Sequence, residues 1–340
     1  MKPAFHRRLI SRKAIYVAAA AMLFWAGGTP LHAAPQEGAS DRDEEIVAGL
    51  AAGRVVVHVA KDTVVFAAIN EPIEQGAVPP RVVDLDGKHV GVLFGASEWK
   101  MPADPNPVRL DRNVQRISAQ NPDYAPYAEA EPDLETMGTA FLEKLHPLAA
   151  RLHHKLNFPP DQALMEMVII GFGPKDYGPE VWIVDYRMTQ EEISYRHDYW
   201  QTHVLRPRFT QIYPPEKHAP HLIVEAAYPG GKKVPTLQDL IEGNDPRIAQ
   251  LRDADAHFAK VLQDVEKGEA QKVDPKDAAD FMRAVIPVIY PNKQFIMGTI
   301  EEQHGFDWIV PPEEPVEKVK RDKDKNAPPE APTLRKRPYR

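Results

Sequence analysis

The chain has 340 residues and carries 42 basic and 49 acidic side chains, for a net charge of −7. It contains no cysteine, which excludes disulfide bonds, cysteine-based zinc sites and thiol nucleophiles. The length is sufficient to bury one large hydrophobic core.

The first 33 residues have the pattern of a secretory signal peptide. Five basic residues accompany an apolar run over 14–26, which is too short to span a bilayer comfortably. The sequence Leu-His-Ala at 31–33 predicts cleavage before Ala34. An uncleaved membrane anchor is the alternative, and Arg7-Arg8 also resembles a twin-arginine signal. We therefore expect a secreted or periplasmic protein with no stable membrane span after cleavage, in which residues 34–42 form a linker.

Charge is divided unevenly along the rest of the chain. Residues 316–340 are Pro-rich and carry nine basic and four acidic residues, whereas residues 34–315 carry 28 basic and 45 acidic residues. The tail is predicted to be disordered and to aid solubility. The more specific alternative is that its basic residues contact acidic surfaces. An acidic body argues against nucleic acid as a partner.

In the first half of the body, a helix is predicted over residues 43–52. Its apolar residues Ile46, Val47 and Leu50 would lie on one side, and Gly53 would end it. β-Branched, largely apolar runs then predict strands, with a hairpin turn at Asp86-Gly87. These strands cover residues 55–59, 64–68, 81–85 and 89–94. A Pro-rich stretch follows, in which a helix is predicted over 108–120. Apolar residues at three- and four-residue steps predict a further helix over 133–155 that is kinked at Pro147.

The second half continues with strands and then helices. The predicted strands cover residues 163–172, 180–186, 222–227, 295–300 and 306–310. Two helices are predicted to begin at Asp245-Pro246 and Asp274-Pro275, where a capping residue precedes a proline.

Short turns between neighbouring strands predict mainly antiparallel sheets. The helices come in blocks rather than one per strand, which disfavours a doubly wound parallel fold. Strands that are apolar on both faces indicate two stacked sheets covered by helices. We therefore predict a single α+β domain over 43–315, built as a four-layer αββα sandwich.

Several local phrases in this order resemble the proteasome-type N-terminal-nucleophile hydrolases. They are Lys-Asp-Thr-Val-Val-Phe-Ala-Ala at 61–68, Val-Gly-Val-Leu-Phe-Gly-Ala-Ser at 90–97, Val-Ile-Ile-Gly-Phe-Gly with Gly-Pro-Glu-Val-Trp-Ile-Val-Asp at 168–185, and the hairpin at 294–308. The resemblance covers residues 43–311 and implies the same αββα fold.

The resemblance also implies a catalytic corner, and the residues found there lack its chemistry. In this family the first residue of the mature chain is a Thr, Ser or Cys, whose own amine acts as the base. The matching positions are Gly53 or Arg54 for the nucleophile, Ile69 or Asn70 for an aspartate, Arg81 for a lysine and Gly95 for the oxyanion turn. Arginine stays protonated and cannot share a proton as lysine does. We therefore expect a catalytically silent member.

Three functional hypotheses follow from the sequence. The leading one is a non-catalytic, exported structural, binding or assembly protein that forms a homo-oligomer or binds a protein partner, with no cofactor. The second is a metal-dependent hydrolase that uses the four histidines His197, His203, His218 and His221. The third is a peptidase of the same fold with an unrecognised nucleophile.

Overall fold

The structure is a computed structural model, and it divides into two compact units, Met1–Arg42 and Asp43–Arg340. All described residues belong to the second unit. They are 47–71, 78–100, 108–109, 111–114, 116, 133–149, 163–173, 178–193, 200–214, 223–228 and 235–313. The predicted signal peptide, linker and basic tail therefore lie outside the described residues.

Fourteen strands are found in the described part of the chain. They are β1 (Val47–Ala51), β2 (Gly53–Ala60), β3 (Thr63–Asn70), β4 (Arg81–Asp84), β5 (His89–Lys100), β6 (Val108–Arg109), β7 (Met165–Phe172), β8 (Pro179–Tyr186), β9 (Met188–Glu192), β10 (Trp200–Val204), β11 (Arg208–Tyr213), β12 (Ile223–Tyr228), β13 (Phe295–Glu301) and β14 (Gly305–Val310).

The described helices fall between strands in two blocks. They are α1 (Leu134–Ala149), α2 (Leu237–Glu242), α3 (Pro246–Ala254), α4 (Ala256–Glu266) and α5 (Pro275–Ile289), with a 3₁₀ turn at Ala270–Lys272. Residues 111–114 and 116 are also helical. Asp245 and Asp255 cap α3 and α4 by accepting backbone N–H bonds, as short polar side chains do at helix starts.

The strands form two large sheets in which all named pairs are antiparallel. The seven-stranded sheet has the order β1-β5-β7-β8-β11, with β4 and β6 also paired to β5. The five-stranded sheet has the order β12-β2-β3-β13-β14, and β9 and β10 form a separate pair. The predicted mixture of helices with two mainly antiparallel sheets is therefore confirmed.

Each large sheet packs against helices and apolar side chains. Along β5, Leu93 belongs to a core cluster with α1, whereas Val92 and Phe94 belong to the cluster that contains β2, β3 and α5. The smaller sheet also contacts the β4–β5 turn, because Phe306 N–H on β14 donates to the Gly87 carbonyl over 2.6 Å. The alternation along β5 follows from the two-residue period of a strand.

The predicted helix over 43–52 is wrong where the structure describes it. Residues Val47–Ala51 are a strand that pairs with β5, from Val47 opposite Lys100 to Ala51 opposite Gly95. The apolar spacing in this segment is too short to specify a helix, and pairing with a buried neighbouring strand determines its conformation.

Candidate functional site at the head of the second strand

The chain crosses from the larger sheet to the smaller one at the position where the resemblance places a nucleophile. Ala51 ends β1 opposite Gly95, Ala52 follows, and Gly53 begins β2 opposite Asn70. Residues 51–54 are all buried. Gly53 is therefore buried at the point where the chain passes between the two sheets.

Gly53 lies too close to its neighbours for any side chain. A Cβ atom on this residue would lie 2.1 Å from the Ile69 carbonyl oxygen and 2.8 Å from Pro80 Cγ. The first of these atoms is backbone and cannot move aside as a side chain does. A Thr, Ser or Cys nucleophile therefore does not fit at this position in the observed backbone.

Arg54 is the centre of a buried ion-pair cluster that we call the Arg54 cluster. It consists of Arg54 on β2, Glu71 just after β3, Glu225 on β12 and Tyr290 just after α5. Arg54 Nη1 donates a hydrogen bond to the Glu225 carboxylate. Arg54 Nε lies 3.2 Å from a Glu71 carboxylate oxygen, which is an ion-pair distance without an aligned hydrogen bond. The guanidinium carbon is also 5.4 Å from the centre of the Tyr290 ring.

Glu225 joins the smaller sheet to two helical segments. Besides Arg54, its carboxylate accepts a hydrogen bond from the Tyr290 hydroxyl over 2.7 Å and one from the Leu237 backbone N–H over 2.8 Å. The side chains of Arg54 and Glu225 are each only 5% exposed. A buried carboxylate with three donors is well compensated for its lost hydration.

The electrostatics of Arg54 and Tyr290 favour one protonation state for each. Burial acts to lower the pKa of Arg54, but the hydrogen bond to Glu225 and the neighbouring acidic groups outweigh it and raise this pKa further. Burial is the main cause that raises the pKa of Tyr290, and the adjacent Glu225 carboxylate adds to this effect. Neither group exchanges a proton near neutral pH, so this cluster is suited to structure rather than to acid–base catalysis.

The remaining predicted corner residues do not converge with Arg54. Asn70 lies opposite Gly53 at the end of β3, and its buried Oδ1 accepts no hydrogen bond from any described residue. Arg81 lies opposite Leu93, on the face of the larger sheet that packs against α1. Gly95 has a φ of +82°, which glycine adopts readily.

A polar row on the larger sheet was missed by the sequence reasoning. Glu166 on β7 lies opposite Asp185 on β8, which in turn lies opposite Arg208 on β11. Arg208 donates to Asp185, with Nε at 2.8 Å. Burial, and secondarily the charge of Asp185, raises the pKa of Glu166 to about 8. A single charged residue within the apolar run of β7 was the available signal.

A second buried pair resembles an acid–base dyad but has no free nitrogen. His89 Nδ1 lies 2.5 Å from an Asp86 carboxylate oxygen, and His89 Nε2 lies 2.7 Å from the Phe172 carbonyl oxygen. Both ring nitrogens are thus occupied by acceptors, and the ring is fully buried. This histidine fastens the β4–β5 turn to the end of β7.

The predicted metal ligands are mostly outside the described residues, as His197, His218 and His221 all are. His203 is described and lies on β10, where its Nε2 is 3.8 Å from an oxygen of the exposed Glu191 carboxylate. Among the described residues, no three His, Asp or Glu side chains are grouped so that they could hold a metal ion.

Comparisons with known proteins do not identify a family. The sequence matches no model of a known protein family, and it has no significant match among curated proteins. Among the described helices, none is long and apolar enough to cross a membrane.

Proposed function

We propose that this chain is an exported, non-catalytic protein with a proteasome-type αββα sandwich, and that it acts in structure, binding or assembly. Its partner would be a second copy of the chain or another protein. Export rests on the signal-like pattern of residues 1–33, whose sequence has the basic start and short apolar run of a secretory signal.

The packing of the described elements supports the four-layer arrangement. Side chains of α1 share a core with one face of the larger sheet, and side chains of α4 and α5 share a core with the smaller sheet. The other face of the larger sheet contributes to this second core, as stacking of two sheets between helical layers would require. Strands β2 to β5 form two successive hairpins, in the order of the family that the sequence resembles.

The absence of N-terminal-nucleophile chemistry is supported by one observation above all. The head of β2 has no room for a nucleophilic side chain, because a Cβ atom on Gly53 would lie 2.1 Å from the Ile69 carbonyl oxygen. In this class of enzyme the nucleophile is the side chain of that residue, activated by its own free amine. The buried Arg54 cluster occupies the same strand end and ties it to β12 and α5.

The test uses the mature protein as it is exported. Intact-mass measurement and N-terminal sequencing should give a chain that begins before β1, with the peptide bond between Ala52 and Gly53 uncut. A peptide electrophile directed at N-terminal nucleophiles should leave the chain unlabelled, while an authentic proteasome subunit is labelled in parallel. Light scattering after size-exclusion chromatography should give a mass above that of the monomer or identify a stable complex.

Other results would reject parts of the proposal. A chain cut at the head of β2 that cleaves peptides would reject the non-catalytic role. Covalent labelling of an internal Ser or Thr would favour the unrecognised nucleophile instead. A bound transition metal, with hydrolysis that stops on chelation, would favour the hydrolase that uses the four histidines.

A further inference from the structure

The smaller sheet contains a buried histidine that has no polar partner. His58 on β2 is fully buried, and neither ring nitrogen forms a hydrogen bond with any described residue. Its cross-strand neighbours are Val65 on β3 and Ile223 on β12. Because buried polar groups are nearly always paired, an unpaired imidazole in an apolar core is unusual.

His58 lies directly under helix α5. Its ring meets Phe281 of α5 edge to face, with ring centres 5.6 Å apart and planes at 80°. Phe281 in turn stacks on Phe258 of α4, with ring centres 4.8 Å apart. The imidazole is therefore enclosed by the surfaces that hold the helices on the sheet.

The charged groups on the neighbouring elements do not compensate a proton on His58. Arg54 on the same strand and Glu225 on the neighbouring strand β12 are bonded to each other. On α5, Asp277 pairs with His257 of α4. Arg283 pairs with Asp280, and Lys276 is exposed. Burial alone lowers the pKa of His58 to about 4. The ionisable residues on the described elements that surround His58 are Arg54 on β2, Glu225 and Tyr228 on β12, Lys276, Asp277, Asp280 and Arg283 on α5, His257, Lys260, Asp264 and Glu266 on α4, and Lys272 on the 3₁₀ turn.

We propose that His58 makes the docking of α5 on the smaller sheet acid-labile, so that a proton on this imidazole releases the helix. The Tyr290 hydroxyl, just beyond the end of α5, would then leave Glu225, and the Arg54 cluster would lose one of its bonds. The device links mild acidity to the head of β2. It does not depend on the proposed scaffold role, because it requires only the contact between helix and sheet.

The expected effect follows from the two protonation states. An exposed histidine has a pKa near 6.5, whereas buried His58 resists protonation down to about pH 4. At pH 5 the open form is therefore favoured about thirtyfold relative to pH 7.5 by this one group. Stability is complete above the ordinary pKa and falls as the pH drops below it.

Hydrogen exchange of the α5 amides measures this opening. After correction for the intrinsic pH dependence of exchange, the opening constant of the intact protein should rise about thirtyfold from pH 7.5 to pH 5. His58→Leu should abolish most of that rise. His304→Gln, at a side chain that is 79% exposed, should retain it.

Two results would overturn the proposal, and one needs no variant. If His58→Leu keeps the full acid response, another group is responsible. If His58→Leu does not fold, the ring protons of His58 in the unaltered protein can be followed by NMR. A titration midpoint near 6.5 while α5 remains docked would contradict the proposal. Ring-proton chemical shifts that do not change with pH over this range would support it.

Discussion

Removing the Glu225 carboxylate is the most direct test of the Arg54 cluster. Glu225→Ala leaves the Arg54 guanidinium buried without its main counter-charge and removes the acceptor of the Tyr290 hydroxyl and the Leu237 N–H. Breaking a buried pair from one side costs about 3–5 kcal/mol. Arg54 would keep its ion pair with Glu71 at 3.2 Å, so we expect the free energy of unfolding to fall by about 3 kcal/mol.

Urea unfolding followed by circular dichroism at pH 7 measures this loss. Tyr290→Phe is the matched control, because it deletes one hydrogen bond to the same carboxylate and should cost about 1–3 kcal/mol. The double variant Arg54→Met with Glu225→Leu should lose less stability than the sum of its two single variants, since neither charge is left buried without the other. A cost below about 1 kcal/mol for Glu225→Ala, or strict additivity in the double variant, would refute a coupled buried cluster.

Two further predictions concern other buried positions. Gly53→Ala should destabilise the protein by about 3 kcal/mol, because its Cβ atom would lie 2.1 Å from a backbone carbonyl oxygen. Gly91→Ala is the control and should cost about 1 kcal/mol, because its Cβ atom would meet the flexible side chain of Met167 at 3.0 Å. Equal costs of the two variants in thermal unfolding would contradict this reasoning. Because burial raises the pKa of Glu166 to about 8, the folded protein holds a proton that the unfolded chain releases above its ordinary pKa of 4.5. Between about pH 6.5 and pH 8, above the range in which His58 responds to acid, the free energy of unfolding should therefore fall by up to about 1.4 kcal/mol per pH unit. Glu166→Gln should remove that slope in urea titrations; an unchanged slope would assign it to other groups.

The hairpins could be predicted from the sequence because strand and turn signals agree in them. β-Branched runs flank the turn at Asp86-Gly87, where Gly87 takes a φ of +90° and the Asp86 carboxylate accepts the backbone N–H groups of Lys88 and His89. Such signals are local, so no knowledge of the rest of the fold is needed to read them.

Strands of polar composition could not be predicted in the same way. β9, β10 and β11 carry several exposed side chains. Between Arg187 and Val234 the sequence predicts one strand, over 222–227, whereas the described residues of this range contain four. The helix predicted over 43–52 fails for a related reason. Five residues of β1 contain too little periodicity to distinguish a helix from a strand, and the partner strand decides between them.

The candidate site was predictable in place but not in composition. Strand order located the head of β2, and Gly53 and Arg54 stood out there because neither is a nucleophile. The partners of Arg54 were not predictable, since Glu225 is 171 residues away in sequence and Tyr290 is further still. Contacts of this range are determined by how sheets and helices pack, about which local patterns contain no information.

The Arg54 cluster also explains why the strand end is a poor place for an active site. Catalysis at such a corner needs a small side chain, an unblocked amine and a group that exchanges protons near neutral pH. Here Gly53 has no room for a side chain, and Arg54 and Tyr290 are each held in one protonation state, with the adjacent Glu225 as a shared cause. Replacing Gly53 by threonine alone would bring its Cβ against the Ile69 carbonyl oxygen and would leave Arg54 and Tyr290 unchanged. The proposed lack of catalysis therefore rests on the whole corner and not on one substituted residue.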